Sequence, residues 1–429
     1  MIVKKRIILV ILIFIAIASA FSNSYEWELK DAIYQAMGEN LLLKQKQIDL
    51  AQKQAASDRS WNLFLPDLNA ELGLTQRLSE TPDPLTVTGE LGISLNLKAI
   101  LPYQFRNIRY QLEMELISYE RFKQIYIRDI KDFFYQILLV KERISLAREN
   151  LILIELQYEK TNLHYEAGLA SDLDLMAVKV NLANIKPEIL SLENDYASKI
   201  FQLKYLTGIN PDDELSLIGN INLPEEILSV VDLSGLISET LDLQTLKKES
   251  LVLENERKMA VLQTWDPSFN FGYSYSPELI LPLEDGFLSG DTWLPGGALT
   301  ISVSLPLNSL LPGSASKVNL ESIDARSKKN ELAINQLIYT SYMELSNLIN
   351  KLEGLRQTLD ARILAAEFSL EAYDYTVSSY NIGGVDILDL QSSESDLQEA
   401  RVSVLIETYN YISTILDIEY LLGIQIIKE

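Results

Sequence analysis

The chain has 429 residues, 47% of them hydrophobic, and a formal net charge of −23 at pH 7. This length and apolar content exclude a disordered chain, and the negative charge argues against binding to nucleic acid. There is no cysteine, and His164 is the one histidine, which excludes disulfides and thiolate metal sites and leaves little for a Ser-His-Asp triad. Because a Gly-rich phosphate-binding loop is also absent, we expect no enzyme, no cofactor and no metal site.

The chain begins with the pattern of a signal peptide. Three basic residues at 4–6 precede an apolar run over 7–18, which ends in Ala18-Ser19-Ala20. The run is too short to span a bilayer comfortably, and the small residues suit signal peptidase. We therefore predict export with cleavage of residues 1–20, and the alternative is an uncleaved N-terminal anchor.

The rest of the chain contains two copies of one unit. Two distant segments match without a gap, and a long repeat that occurs twice indicates a duplicated domain. The matches include Tyr158 with Tyr373, Tyr165 with Tyr380, Gly168 with Gly383, Asp174 with Asp389, and Tyr205-Leu206-Thr207-Gly208 with Tyr420-Leu421-Leu422-Gly423. We predict a first repeat over 21–209, a linker over 210–235 and a second repeat over 236–429.

Apolar residues spaced three and four apart predict coiled-coil helices. The spacing runs over 130–154 in the first repeat and over 345–359 in the second. In each repeat two short helices together match one long helix, and each sum spans about 100 Å at about 1.5 Å per residue. The predicted helices are 29–60, 100–166 and 172–206 in the first repeat, and 236–264, 314–381 and 387–423 in the second.

Four stretches alternate between apolar and polar residues, and we predict a strand for each. They are 68–75, 87–97, 268–275 and 299–307. This alternation is typical of strands in a membrane barrel, but also of any half-buried sheet. The polar positions are mostly Ser, Thr, Asn and Gly, with Glu71 and Glu90, which suits a water-filled lumen. An open sheet edge cannot face lipid, so four strands would have to close with other copies, and the strand count favours neither a dimer nor a trimer.

Short motifs recur in a fixed order along the chain. They are Trp27-Glu28-Leu29-Lys30-Asp31-Ala32 with Glu39-Asn40, Pro66 and Pro267, Tyr165-Glu166-Ala167-Gly168 and Tyr380-Asn381-Ile382-Gly383, and Tyr-Leu-x-Gly at 205–208 and 420–423. In order, spacing and double occurrence they resemble the TolC-like outer-membrane efflux proteins (outer membrane factors). The resemblance covers the whole mature chain.

The resemblance implies a mostly α-helical fold with a β-barrel part. In a homotrimer, four membrane strands per chain would form a twelve-stranded barrel in the lipid of the outer membrane, with outer loops at 76–86 and 277–297. The helices would form a long coiled-coil α-helical barrel in the periplasm. This tunnel would dock on a periplasmic adaptor (membrane fusion) protein and an inner-membrane efflux pump, and would pass cargo to the outside in efflux or type I secretion.

The resemblance also assigns functional residues to the two helix turns. The adaptor-docking turns would be Gly168, Leu169, Ala170 and Ser171, and Gly383, Gly384, Val385 and Asp386. Val385 occupies a place where some members have a basic gate-locking residue, so that lock is not expected here. Asp389 matches an aspartate that faces the pore at the periplasmic gate, and Asp174 is its counterpart in the first repeat.

Each of these residues also has a purely structural interpretation. Gly168 and Gly383 suit the C-terminal caps of helices. Ser171 with Asp174, and Asp386 with Asp389, have the spacing of a helix N-cap and its third residue. Capping is the favoured role for Asp174, whereas capping and pore lining are both open for Asp389.

Two further classes of protein are compatible with the pattern. A soluble periplasmic coiled-coil scaffold would use the four strands as an ordinary sheet and would have no membrane barrel. An adaptor of the membrane-fusion class also has helical hairpins, but its strands would be more numerous. Because heptads dominate this chain and its strands are few, the adaptor ranks last, and the scaffold remains the alternative to the channel.

Overall fold

Long helices make up most of the chain that is described by this computed structural model. The described residues are 24–76, 85–222, 230–265, 267–281, 293–294, 296–305, 311 and 313–427. The helices in this part are α1 (Leu29–Glu39), α2 (Leu41–Asp58), α3 (Leu101–Glu166), α4 (Asp172–Thr207), α5 (Leu241–Gln263), α6 (Ala315–Asn381) and α7 (Ile387–Leu422), with 3₁₀ turns at Ser60–Phe64 and Val230–Glu239. The predicted signal peptide and most of the two predicted outer loops, 77–84 and 282–292, lie outside the described residues.

The strands include the four that were predicted and four more. They are β1 (Ser24–Trp27), β2 (Asp67–Thr75), β3 (Leu85–Lys98), β4 (Glu214–Leu217), β5 (Ser268–Tyr275), β6 (Glu278–Leu281), β7 (Trp293–Leu294) and β8 (Gly297–Ser304). The fourth predicted strand, 299–307, corresponds to β8, which begins earlier and ends at Ser304. The predicted loop 277–297 instead contains β6 and β7, because β6 continues the pairing of β3 beyond the end of β5.

The chain forms two compact units, and each unit contains residues from both halves of the chain. The helical unit comprises Met1–Lys46, Glu120–Leu241 and Ile338–Glu429. The mixed unit comprises Gln47–Tyr119 and Asp242–Leu337. Within the described ranges, none of the helices combines the length and the apolar character that crossing a bilayer would require.

The predicted coiled-coil seams form the core of the helical unit. On α3, Val140, Ile144, Ala147 and Ile154 are buried against Ile185, Ile189 and Leu192 of α4. On α6, Leu345 and Leu352 are buried against Tyr411, Ile415, Ile418 and Leu422 of α7. The three-four spacing explains both cores, since it keeps one stripe of each helix facing its partner.

The first predicted helix, 29–60, is wrong in one respect, because it is broken at Asn40. This residue is extended (φ −63°, ψ 129°), and its side chain accepts hydrogen bonds from Leu42 N at 2.8 Å and Leu43 N at 2.9 Å, so it caps the start of α2. Asn40 Nδ2 also donates to Leu206 O at 2.8 Å and to the hydroxyl of Tyr126. The buried partners therefore select a cap where the apolar period alone continued the helix.

A small parallel ladder closes the start of the helical unit. β1 pairs with β4 over Ser24–Trp27 and Glu214–Leu217. The segment 210–235, predicted as the linker between the repeats, therefore contributes a strand. Trp27 and Leu217 are buried in this ladder, so the beginning of the described chain is anchored by apolar contact as well as by backbone hydrogen bonds.

The larger sheet is antiparallel and lies in the mixed unit. β2 pairs with one edge of β3, while β5 and β6 pair with its other edge. β8 then pairs with β5, and β7 with β6. The sheet is therefore four strand positions wide in the described part: β2, β3, β5 with β6, and β8 with β7.

Candidate functional site

Backbone hydrogen bonds shape the turn between α3 and α4. Gly168 has φ +73°, which a residue with a side chain rarely adopts. Gly168 N donates to Tyr165 O at 3.0 Å and Leu169 N donates to His164 O at 2.7 Å, the pattern of a Schellman C-cap. Leu169 is 76% exposed, so the turn presents an apolar side chain to its surroundings.

The turn between α6 and α7 repeats this geometry. Gly383 has φ +77°. Gly383 N donates to Tyr380 O at 3.1 Å and Gly384 N donates to Ser379 O at 2.8 Å. Ile382 is 85% exposed and Val385 is half-buried. The two turns are therefore equivalent C-caps, as their glycines predicted, and each displays one large apolar residue.

The helices that follow the two turns are capped differently. Ser171 Oγ accepts from Asp174 N at 3.2 Å, and Asp174 Oδ2 accepts from Ser171 N at 2.8 Å, so α4 begins with a capping box. In α7 the cap is Asp386, whose Oδ1 accepts from Leu388 N and Asp389 N, both at 2.9 Å. The carboxylate of Asp389 is exposed and makes no hydrogen bond within the described residues. Capping therefore occupies Asp174 but leaves the side chain of Asp389 free.

The two helical hairpins are α3 with α4 and α6 with α7. An apolar cluster joins them next to the turns. Val178 of α4 is buried with Ile387 and Leu390 of α7, and four partly buried residues pack around them: Tyr158, Tyr373, Val377 and Tyr380. Lys160 of α3 donates to Asn381 Oδ1 at 2.5 Å, and its ammonium lies 5.2 Å from the centre of the Tyr380 ring. The two hairpins are thus held together next to their turns by apolar packing and by one cation.

A polar layer lies beyond this cluster, and the motifs of the sequence did not point to it. Gln157 Nε2 of α3 donates to Glu394 Oε2 of α7 at 2.8 Å. Glu394 is 2% exposed, and its burial raises the pKa of the carboxyl above the ordinary value of 4.5. Next to it is a cleft of about 520 Å³, lined partly by Asn150, Gln391 and Glu394. The spacing of Ile387, Leu390, Glu394 and Leu397 could have revealed this acid, because it occupies a position on an apolar stripe.

The larger sheet has one apolar face that no other described element covers. Its strand register aligns Leu68, Ile93, Tyr273 and Leu299 in one row across four strands. Leu72 is 82% exposed and Leu299 is 76% exposed. The opposite face carries the polar row of Asn96, Asn270 and Ser302, and there Glu71 lies directly opposite Glu90.

Solved structures share this architecture over nearly the whole chain. The structure of CusC, a protein that forms a transmembrane channel, is 15% identical with a TM-score of 0.77, and the match covers 92% of each chain. The chain has the fold of outer-membrane channel proteins. The outer membrane protein VceC of Vibrio cholerae has this fold too, at 17% identity and a TM-score of 0.74, over 92% of this chain and 96% of its own. The outer-membrane channel CmeC of Campylobacter jejuni matches at 14% identity and a TM-score of 0.76, over 92% and 85%.

The channel fold appears in the comparison of structures and not in the comparisons of sequence. No protein-family profile matches this chain, and no curated protein sequence matches it either. The resemblance to TolC-like proteins is therefore confirmed at the level of fold: a mostly helical chain with a small sheet. The periodic patterns persist at this identity because they depend on residue class and not on residue identity.

Proposed function

We propose that the protein is the outer-membrane channel of an efflux or type I secretion system, and that it passes cargo from an inner-membrane pump and a periplasmic adaptor to the outside. The observation that carries this proposal is the uncovered apolar face of the larger sheet, with Leu72 and Leu299 among its most exposed residues. Strands with one apolar and one polar face are what a barrel in lipid requires. In a soluble coiled-coil scaffold the same face would lie in water, and soluble monomers rarely expose so large an apolar patch.

The edges of this sheet support assembly with copies of the same chain. Among the described strands, β2 pairs with β3 alone and β8 pairs with β5 alone, so each has one unpaired edge. Unpaired backbone groups cost several kcal/mol each in lipid, so both edges need a partner. Four strand positions per chain give a twelve-stranded barrel in a homotrimer, which is the assembly that the resemblance implies.

We assign adaptor docking to the two helix turns, at Gly168-Leu169-Ala170-Ser171 and Gly383-Gly384-Val385-Asp386. Glycine C-caps keep both turns short, and the exposed Leu169 and Ile382 offer apolar contacts to a partner. We assign the periplasmic gate to Asp389, because its carboxylate is exposed and takes no part in the cap of α7. Three copies would form an acidic ring. Asp174 belongs to the gate by position, and its carboxylate serves the capping box of α4.

Cell fractionation followed by crosslinking of the purified mature protein tests the proposal. We expect a trimer in the outer membrane that requires detergent for extraction, produced after removal of residues 1–20. A soluble periplasmic species would overturn the channel and favour the scaffold.

Photo-crosslinking in cells tests the docking turns separately. A crosslinking amino acid at Leu169 should capture an adaptor protein, whereas the same group at Phe201, an exposed residue near the other end of α4, should not. Equal capture at the two positions would contradict docking at the turn.

A further inference from the structure

A carboxyl–carboxamide pair joins the two helical hairpins inside the helical unit. Gln157 Nε2 donates to Glu394 Oε2 at 2.8 Å. The other oxygen of each group, Gln157 Oε1 and Glu394 Oε1, is buried and has no hydrogen-bond partner among the described residues. Two acceptors of one pair thus lack a donor, and an unmade hydrogen bond at a buried polar atom is destabilising.

A single proton would complete this pair. An ionised carboxylate can only accept hydrogen bonds, whereas a protonated carboxyl also has an O–H donor. Protonation would give Glu394 an O–H donor, and Gln157 Oε1, on the side chain that already contacts it, is a buried acceptor that lacks one. The same proton removes a charge from a residue that is 2% exposed.

Two arginines lie near Glu394, Arg143 on α3 and Arg401 on α7, but neither of them pairs with its carboxylate. In the described part of the chain it makes no ion pair, and Lys160 of α3 is engaged by Asn381. Burial is the main cause that raises the pKa of Glu394, and the hydrogen bond from Gln157 opposes it to a smaller extent. Each helix packed nearby carries charged or titratable groups. They are Arg143 on α3, Glu188 on α4, Tyr373 on α6, and Glu399 and Arg401 on α7.

The pair lies close to both turns and joins one hairpin to the other. Gln157 precedes Gly168 by eleven residues and Glu394 follows Gly383 by eleven, which places the pair about 16 Å from either turn at about 1.5 Å per residue. It connects α3 of the first hairpin to α7 of the second, beside the cluster of Val178, Ile387 and Leu390. Separation of the hairpins would break it.

We propose that Gln157 and Glu394 form a protonation-dependent lock between the two helical hairpins. With Glu394 protonated, two hydrogen bonds hold α3 against α7 and keep the periplasmic gate, which is the entrance of the proposed channel, closed. Loss of the proton leaves a buried carboxylate with one hydrogen bond, which favours separation of the hairpins. The cleft beside Glu394 gives water, and therefore protons, a route to the pair. The consequence for the entrance rests on the proposed channel function, whereas the lock itself does not.

The direction of the pH dependence follows from the raised pKa of Glu394. Stabilisation by the protonated pair is complete below the ordinary value of 4.5 and is lost as the pH rises through the raised value. A pKa that differs by about one unit between the closed and open arrangements changes their equilibrium by about tenfold. We therefore expect the channel to open more readily as the pH rises.

Glu394→Gln is the informative variant, because an amide N–H replaces the acid O–H and the two hydrogen bonds can form at any pH. Glu399→Gln, at an exposed position on the same helix, is the matched control. Infrared spectra should show a protonated-carboxyl band that is present in the wild type and in Glu399→Gln but missing from Glu394→Gln. If the protonated-carboxyl band were unchanged in Glu394→Gln, the lock would be overturned.

Single-channel recording in planar bilayers tests the consequence for the entrance. Between about pH 4 and about pH 8, the open probability of the wild type and of Glu399→Gln should rise by about tenfold, while Glu394→Gln stays closed throughout. If Glu394→Gln kept the pH dependence of the wild type, the lock would be refuted although the protein is a channel. If no form conducted, the proposed function would fail, and the infrared band would still decide whether the pair is protonated.

Discussion

Lys160 on α3 donates a hydrogen bond of 2.5 Å to Asn381 at the end of α6, and its ammonium lies 5.2 Å from the centre of the neighbouring Tyr380 ring. One side chain of the first repeat thus binds the last turn of the long helix of the second. Because these contacts lie next to the turns, they bear on how easily the two hairpins separate.

Replacement of Lys160 by methionine should loosen the two hairpins. Methionine keeps an apolar stem but removes the ammonium, so the cation–π contact and the hydrogen bond are both lost, at about 0.5–1 kcal/mol for a partly exposed site. We expect a small drop in melting temperature and a higher open probability in planar bilayers. The control is Lys179→Met, at an exposed position of α4. Identical conductance in the two variants would show that Lys160 does not restrain the hairpins.

Asp174 and Asp389 should respond differently to replacement by alanine. Asp174→Ala removes one half of a capping box and should destabilise α4 by about 0.3–1 kcal/mol, with little effect on ion conduction. Asp389→Ala leaves the cap of α7 in place, because Asp386 provides it. It should therefore preserve stability while it weakens block by divalent cations. Unchanged block in Asp389→Ala would refute the acidic ring.

The apolar face of the larger sheet can be tested with a single lysine. Leu72→Lys places a charge on the face proposed to contact lipid, where it should cost about 2–4 kcal/mol near the middle of the bilayer. Ser302→Lys, on the opposite face of the same sheet, is the control and should be tolerated. We expect reduced assembly in the outer membrane for Leu72→Lys alone, measured as the fraction of trimer that resists dissociation in detergent. Equal assembly of both variants would argue that neither face contacts lipid.

Asn40→Ala should destabilise the junction of α1 and α2 by about 2–3 kcal/mol, because it removes an N-cap and two buried side-chain hydrogen bonds. Tyr126→Phe removes a single hydroxyl from the same junction and should cost about 1 kcal/mol. Burial raises the pKa of Tyr126 to about 12, so its hydroxyl remains a donor to Leu206 O well into the alkaline range. Thermal melting followed by circular dichroism compares the two, and an equal loss would contradict a capping role for Asn40.

Most of the helices and four of the strands could be predicted from local pattern. The long helices α3 and α6 begin within one residue of their predicted starts and end at the predicted residues, because the three-four spacing of apolar residues and the glycine C-caps are local features. The same reasoning missed the break at Asn40, since its capping bonds compete with a helix only when Leu206 and Tyr126 are packed beside it. It also missed β4 and β6, which exist because β1 and β3 offer them a partner edge.

In the candidate site, too, local features could be predicted and long-range contacts could not. Both turns and both caps were predictable, because a glycine with positive φ and an N-cap act within a few residues of their own position. The partners across the hairpins were not. Nothing in the spacing relates Lys160 to Asn381, or Gln157 to Glu394, since each pair joins one repeat to the other.

The sequence by itself determined that this protein has long coiled-coil helices, amphipathic strands and a doubled arrangement of both, because those properties follow from the period of apolar residues along the chain. Only the tertiary structure decided which polar groups meet and what each contact requires. Glu394 shows the reason. The sequence places this acid on an apolar stripe, but the free energy of burying it depends on what the neighbouring helix provides. Here the neighbour is Gln157, whose amide N–H donates to one oxygen of Glu394 and whose own oxygen lacks a donor.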